Sequence, residues 1–276
     1  STNQVANGLT TNQIVALTTA QAAALTTAQT AALTTDQVGA LETRDLAALK
    51  TSQIQVLSTA QISAGLSTAQ FAALTTAQVA ALSTNQVANG LTTNQIVALT
   101  TAQAASLTTA QTAALGTSQV AAIETADLAA MKTSQIAALT TNQVANGLTT
   151  NQIVALTTAD AAALTTAQVG ALTTNQVGAL ETRDLVALKT TQIQALSTAQ
   201  ISAGLTTAQF AALTTAQVAA LSTNQVANGL TTDQIVALTT VQAGALTTSQ
   251  IGALSTSQVA AIETADLAAM KTSQIA

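Results

Sequence analysis

The chain has 276 residues, a net charge of −5, 48% hydrophobic and 6% charged residues, and no His, Cys, Pro, Trp or Tyr. Its acidic balance and the lack of a basic patch argue against a nucleic-acid partner, and the absence of Cys excludes disulfides and thiolate metal sites. Thr, Gln or Asn interrupts every apolar run before it reaches membrane-spanning length.

One octapeptide repeats along the whole chain. The copy that starts at Leu74 reads Leu-Thr-Thr-Ala-Gln-Val-Ala-Ala, and the next copy starts at Leu82. Position 1 is apolar, position 3 is always Thr, position 5 is Gln or Asp, position 6 is usually Val, Ile or Leu, and positions 7 and 8 are mostly Ala. Positions 2 and 4 vary and accept charge, which indicates that they face water.

Three backbone conformations could carry such an octad. In a continuous helix each Leu would lie about 80° from the last, so no fixed apolar stripe would form. A β-solenoid could use the Leu-x-Thr-x-Gln alternation, but its corners would be Ala-Ala, and Ala is a poor turn residue. In a short helix, Thr at position 2 and Gln at position 5 form a capping box, with Leu at position 1 and Val at position 6 as a hydrophobic staple.

The sequence therefore predicts an all-α solenoid of very short helices, one per octad, with a β-solenoid as the alternative. We expect helices of about four to six residues, which cannot stand alone and must stack on one another. Each should start near the invariant Thr and end near the next Leu. The N-cap is left open: position 2 is sometimes a poor cap such as Glu42 or Lys50, so the Thr at position 3, such as Thr76, is the other candidate.

Six octads carry one extra residue and end in Gly. If these glycines adopt a positive φ, the chain path can turn more widely there. The gaps between them are 7, 3, 7, 7 and 3 octads, and they line up along one side of a coil only if a turn holds about 3.4 octads. We predict that turn length, with Leu at position 1 and Val at position 6 along the axis. The six glycines are Gly8, Gly65, Gly90, Gly147, Gly204 and Gly229.

A larger repeat lies above the octad. Gly8 corresponds to Gly147 and Gly65 to Gly204, each 139 residues later in the chain. Residues 1–276 thus read as one continuous array that consists of two duplicated halves, 1–139 and 140–276.

Four acidic pairs are the candidate reactive groups. Carboxylates suit Ca²⁺ and can act in pairs in hydrolysis, but one pair has too few ligands, and successive pairs lie two or three turns apart. No His is present to activate a Ser or Thr nucleophile. We expect first-turn acids with a solvated charge, and neither a catalytic, a cofactor nor a metal site. The pairs are Glu42/Asp45, Glu124/Asp127, Glu181/Asp184 and Glu263/Asp266.

Runs such as Leu-Thr-Thr-Ala-Gln-Val-Ala-Ala-Leu at 74–82 resemble the low-complexity tandem repeats of very large bacterial cell-surface or secreted proteins, some of them adhesin- or hemagglutinin-like. The resemblance covers the whole chain. It implies an extracellular spacer, stalk or filament, and it assigns no functional residue.

The sequence favours a structural protein and not an enzyme: an extracellular or cell-surface rod, with no small-molecule substrate and no membrane insertion. Neither end shows the polar capping unit that a repeat array needs in solution. We therefore expect self-association end to end, into a filament or a longer rod. The alternative is a surface-binding module, for ice or for adhesion, that uses the regular Thr array.

Overall fold

The computed structural model describes residues 1–275. Each octad forms one helix of four to seven residues, 34 in all, and these described residues contain no β-strand. The predicted all-α repeat fold is confirmed, and neither the β-solenoid nor a continuous helix is supported. The seven-residue helices, Thr2–Gly8 and Thr223–Gly229, belong to octads with the extra residue.

The chain divides into two compact units, Ser1–Leu139 and Thr140–Ala276, whose bounds are those of the two sequence copies. The helices of the first unit are Thr2–Gly8, Thr11–Val15, Thr19–Ala24, Thr27–Ala31, Thr35–Gly39, Thr43–Ala48, Thr51–Gln55, Gln61–Gly65, Thr68–Ala72, Thr76–Ala81, Gln86–Gly90, Thr93–Val97, Thr101–Ser106, Thr109–Ala114, Thr117–Ala122, Thr125–Ala130 and Thr133–Ile136. Those of the second are Thr141–Asn146, Thr150–Ala155, Thr158–Ala163, Thr166–Ala171, Thr174–Ala179, Thr182–Ala187, Thr190–Gln194, Gln200–Gly204, Thr207–Ala211, Thr215–Ala220, Thr223–Gly229, Thr232–Val236, Thr240–Ala243, Thr248–Ala253, Thr256–Ala260, Thr264–Ala269 and Thr272–Ile275.

A capping box starts most of the helices. In the octad of Leu74, the Thr75 hydroxyl accepts the Gln78 backbone N–H at 3.2 Å, and the Gln78 side-chain oxygen accepts the Thr75 N–H at 2.7 Å. Position 2 is thus the N-cap, and Thr76 at position 3 is the first helical residue. The alternative N-cap at position 3 is wrong, because the side chain of position 5 can reach back only to position 2.

Octads with Lys or Gly at position 2 keep half of this box, and those with Glu keep neither half. Lys50 provides no side-chain cap, yet its backbone N–H still donates to the Gln53 side-chain oxygen at 2.7 Å. Glu42 has no side-chain cap either. Helix formation in these octads depends more on stacking than on local capping.

The core of each unit consists of the predicted positions. Val79 at position 6 is fully buried and Leu82 at position 1 nearly so, and the same holds for their equivalents in interior octads. Phe71 and Phe210 occupy position 6 and are fully buried, as core residues. Removing such side chains from water contributes about 1.5–3 kcal/mol each, which is what short helices need to persist.

Contacts between turns set the length of one turn. The helix Thr43–Ala48 packs on Thr19–Ala24, three octads earlier, and Thr125–Ala130 packs on Thr101–Ser106 in the same way. Side chains also reach the fourth octad before them, as with Gln37 and Val5. A turn therefore holds between three and four octads, in agreement with the predicted value of about 3.4.

The glycines of the longer octads do not act as predicted. None of the glycines at 1–275 has a positive φ. The extra residue is taken up by widening the helix, which is π-helical at Gln61–Gly65, Gln86–Gly90 and Gln200–Gly204. Glycine is required instead by close approach: a Cβ on Gly65 would lie 3.0 Å from the Thr35 carbonyl oxygen and 3.2 Å from the Val38 side chain.

Candidate functional site

Within each unit, a row of buried glutamine amides joins one turn to the next. The Gln78 Nε2 donates to the carbonyl oxygens of Leu46 at 2.8 Å and Leu49 at 2.7 Å, and Gln78 is almost fully buried. These carbonyls lie at the end of the helix four octads earlier, where the Leu46 oxygen also accepts the Leu49 backbone N–H at 3.1 Å. We call the position-5 glutamines from Gln37 onward that bind in this way the glutamine ladder.

Each glutamine of the ladder works at both ends. Its side-chain oxygen accepts the N–H of position 2 in its own octad. Its amide nitrogen donates to carbonyl oxygens at the end of an earlier helix, 28 to 33 residues before it. Gln86 repeats the arrangement with Ile54 at 3.0 Å and Leu57 at 2.8 Å. One side chain therefore couples local helix initiation to stacking between turns.

Five aspartates replace glutamine in this buried position. All five are at most 3% exposed, so the expected solvated charge is wrong for them. Position 5 faces the preceding turn, and a shorter acid placed there is buried as the glutamine is. The Glu partners at position 2, which four of the five have, remain half-exposed or exposed, as predicted. The aspartates are Asp45, Asp127, Asp160, Asp184 and Asp266.

Four of these aspartates, those of the acidic pairs, contain buried oxygens without a hydrogen-bond partner. They are both carboxylate oxygens of Asp45 and the Oδ2 of Asp127, Asp184 and Asp266. Asp160 differs because its octad has Thr157 at position 2: the Asp160 Oδ2 accepts the Thr157 hydroxyl at 2.6 Å and its N–H at 3.1 Å. An Asp next to a Thr cap thus completes the box, whereas an Asp next to a Glu does not.

An arginine separates the acidic pairs into two kinds. Arg44 lies 2.7 Å from the Glu42 carboxylate and 3.8 Å from Asp45, and Arg183 makes the same contacts in the second unit. At the other two pairs the equivalent residues are Ala126 and Ala265.

The aspartates without a neighbouring arginine lie where their charged form is disfavoured. Burial, and next the charge of Glu124, raises the pKa of Asp127 above its usual range. Burial and Glu263 raise the pKa of Asp266 in the same way. In each unit, one acidic pair therefore has no ion pair with a basic side chain among residues 1–275.

The acidic pairs are not brought together into a reactive cluster. Over residues 1–275, no three His, Cys, Asp or Glu side chains lie close enough to hold a metal ion. In the same part of the chain, no helix is both long and apolar enough to cross a membrane. Asp184 contacts the preceding turn by accepting the Thr158 hydroxyl at 2.8 Å, but no other acid.

The first turn of the first unit presents unused donors. Gln4, Gln13 and Gln21 are exposed and Gln29 is half-buried, whereas the ladder glutamines are buried. Their side-chain oxygens close their own capping boxes, as Gln13 does with Thr10 at 2.9 Å. In the described residues no acceptor from an earlier turn lies opposite their amide nitrogens.

The last turn of the second unit exposes apolar side chains. Position-6 side chains that are buried elsewhere are exposed here: Val259 by 48%, Leu267 by 46% and Ile275 by 59%. Together with Ile262 and Met270 they line a shallow apolar groove. This surface is the stacking face that interior turns cover.

The short stacked helices and their buried ladder define a helical tandem-repeat solenoid. The family model of the ALTTAQ repeat matches seven segments, and residues 73–78 have the sequence Ala-Leu-Thr-Thr-Ala-Gln. The chain belongs to the ALTTAQ repeat family. The matched segments are 38–76, 64–89, 120–158, 147–182, 177–215, 203–228 and 228–256.

Other comparisons add little. No curated protein matches the chain. Among solved structures, a leucine-rich repeat-containing protein, LegL7 from Legionella pneumophila, is similar at 9% sequence identity over 86% of this chain and 79% of that one. Its TM-score is 0.23, too low to argue for a common architecture.

Proposed function

We propose that the chain is a structural protein without enzymatic activity, part of a rod, stalk or filament outside the cell or at its surface. The observation that supports this most is the glutamine ladder, in which the amides of successive octads form hydrogen bonds between turns. Within residues 1–275, no three His, Cys, Asp or Glu side chains converge. The bacterial surface-protein repeats that the sequence resembles point to the same class of protein and to the same location.

The two end faces fit one another by the same chemistry as interior turns. The first turn offers amide donors from Gln4, Gln13 and Gln21, and the last turn offers helix ends and the apolar side chains of Val259 and Leu267. We propose that these faces take further octads of the same kind, in the same polypeptide or in a second copy. Such a contact does not close on itself and therefore propagates.

The test is to measure self-association of the 276-residue chain by sedimentation velocity and electron microscopy over a range of concentrations. Head-to-tail particles that lengthen with concentration are expected. Val259→Lys/Leu267→Lys should abolish them, because two charges would be buried in the contact. The matched control is Val154→Lys/Val236→Lys, at side chains that are 44% and 46% exposed on helices away from the end face.

Uniform monomers at millimolar concentration would count against end-to-end assembly. So would an equal loss of assembly in the control variant. Circular dichroism of both variants verifies that the helices are intact.

A second candidate is a surface-binding module for ice or adhesion. The observation that favours it is the exposure of position-3 threonines such as Thr11 and Thr19, which recur in every octad. The position-2 hydroxyls are less available, because they accept backbone N–H groups in the capping boxes. Thermal hysteresis in dilute solutions of the chain would favour this function over the structural one.

A further inference from the structure

The buried aspartates at 127 and 266 stand where the ladder requires a donor. The neighbouring ladder residues define the register: Gln119 donates to Val87 and Leu91, and Gln135 donates to Ala104 and Leu107. Position 127 lies midway between these glutamines. The same register therefore places Asp127 opposite the carbonyl oxygens of Ile96 and Leu99.

The second unit repeats this juxtaposition. Gln258 donates to Val226 and Leu230, and Gln274 donates to Ala243 and Leu246. Asp266 stands between them and faces Ile235 and Leu238 by the same count. Since a carboxylate has replaced the amide, the ladder supplies no donor to these carbonyl oxygens, and those of Ile96 and Ile235 keep the backbone N–H groups of their own helix ends.

The Asp oxygen concerned is buried and unused. The Oδ2 of Asp127 and of Asp266 has no hydrogen-bond partner, and the two residues are 3% and 2% exposed. A buried oxygen in that state destabilises the fold, and does so more strongly when it is charged. A ligand that offers positive charge to three oxygens would remove this cost.

We propose that Asp127 and Asp266 each bind a hard cation, Ca²⁺ or Na⁺, together with the helix-end carbonyl oxygens of Ile96 and Leu99 or of Ile235 and Leu238. Three features support an oxygen-bound ion. Carboxylate and backbone carbonyl oxygens are the ligands that hard cations prefer, with water completing the shell. Asp is shorter than Gln by one methylene, about 1.5 Å, so its carboxylate stops short of the carbonyls. The carbonyl end of a helix is also its negative end.

The other two acidic pairs serve as an internal contrast. There the guanidinium groups of Arg44 and Arg183 lie within 3.8 Å of the buried carboxylates. A basic side chain in this place reduces the need for an ion. At 127 and 266 the preceding residue is Ala, and Glu124 and Glu263 add negative charge nearby. We therefore assign two ions to each chain.

The experiment is equilibrium dialysis of the full chain near neutral pH, with choline chloride as the background salt and with radiolabelled CaCl₂ or NaCl as the probe. The expected result is two ions per chain. Whether calcium or sodium fills the sites follows from which probe binds. Asp127→Gln/Asp266→Gln should bind none, because the new amides restore the ladder.

Asp36→Asn/Asp233→Asn is the matched control, since it removes two exposed carboxylates at position 4 and should still bind two ions. Asp127→Asn/Asp266→Asn is a second variant with the same expected loss, should the glutamine form not fold. The proposal is overturned if the unmodified chain binds neither ion, or if substitution at 127 and 266 leaves the number of bound ions unchanged.

Discussion

The amide nitrogen of Gln78 lies 2.7 Å from the carbonyl oxygen of Leu49, a residue 29 positions earlier in the chain. The oxygen of the same amide holds the N–H of Thr75 at 2.7 Å. Gln78 thus ties the start of its own helix to the end of another helix in the preceding turn. Because this contact recurs along both units, stability should depend on position 5 more than on any other polar position.

Replacement of one ladder glutamine tests that dependence. Gln78→Met has a similar length but removes the hydrogen bonds of the amide to Thr75, Leu46 and Leu49, so partly buried backbone groups lose a partner. The free energy of unfolding should fall by about 1–3 kcal/mol, measured by urea denaturation. Gln13→Met is the control, because Gln13 is exposed and bonds only within its own octad. Equal losses in both variants would contradict the ladder's role.

Two glycine substitutions should act in opposite directions. Gly65→Ala places a Cβ 3.0 Å from a backbone oxygen and should destabilise the chain by about 1–3 kcal/mol. Gly252→Ala meets nothing within 4 Å inside the helix Thr248–Ala253, and it should stabilise by up to about 1 kcal/mol through helix propensity. The midpoints of urea denaturation give the comparison. A neutral Gly65→Ala would show that close approach is not what selects glycine there.

The cap position offers a gain of stability. Lys50 gives its helix no side-chain cap, whereas Thr75 caps the equivalent backbone N–H. Lys50→Thr should therefore stabilise the chain by about 1 kcal/mol. Lys50→Ala removes the same charge without adding a hydroxyl, so the difference between the two variants isolates the cap. No difference between them would mean that stacking alone fixes this helix.

The buried aspartates predict an unusual pH dependence in a choline-based buffer. Their raised pKa means that the folded chain holds these protons more tightly than the unfolded chain, in which the Asp pKa is about 3.9. Their contribution to stability is thus fully present below the unfolded value and is lost as the pH rises through the folded value. Asp127→Asn/Asp266→Asn should be more stable than the unmodified chain at neutral pH.

That advantage should shrink as the pH falls, because both carboxyls are then protonated in the unmodified chain. Thermal unfolding over a pH series measures it. Asp36→Asn/Asp233→Asn, at exposed positions, should not reproduce the effect. If the stability advantage of the Asn variant grew as the pH fell, the folded chain would bind these protons less tightly than the unfolded chain, contrary to the prediction.

The octad by itself determined the helices. The helix start at Thr75 or Thr76, the reciprocal partner Gln78 and the stop at Leu82 are all within eight residues, and such short-range features can be inferred from spacing, although only the structure decided that Thr75 is the cap. The recurrence of the longer octads also gave the length of a turn, because the same geometric position must return along the coil. The apolar core at positions 1 and 6 followed from the same octad.

Only the tertiary structure decided how the polar groups of position 5 are used. The partners of Gln78 are about 29 residues away, and which carbonyl each amide meets depends on how one turn lies on the next. For the same reason, Asp127 looked like a solvated first-turn acid in sequence but is buried against the preceding turn. Gly65 looked like a residue chosen for its backbone freedom, yet it is needed because Thr35 and Val38 of another octad leave no room for a Cβ.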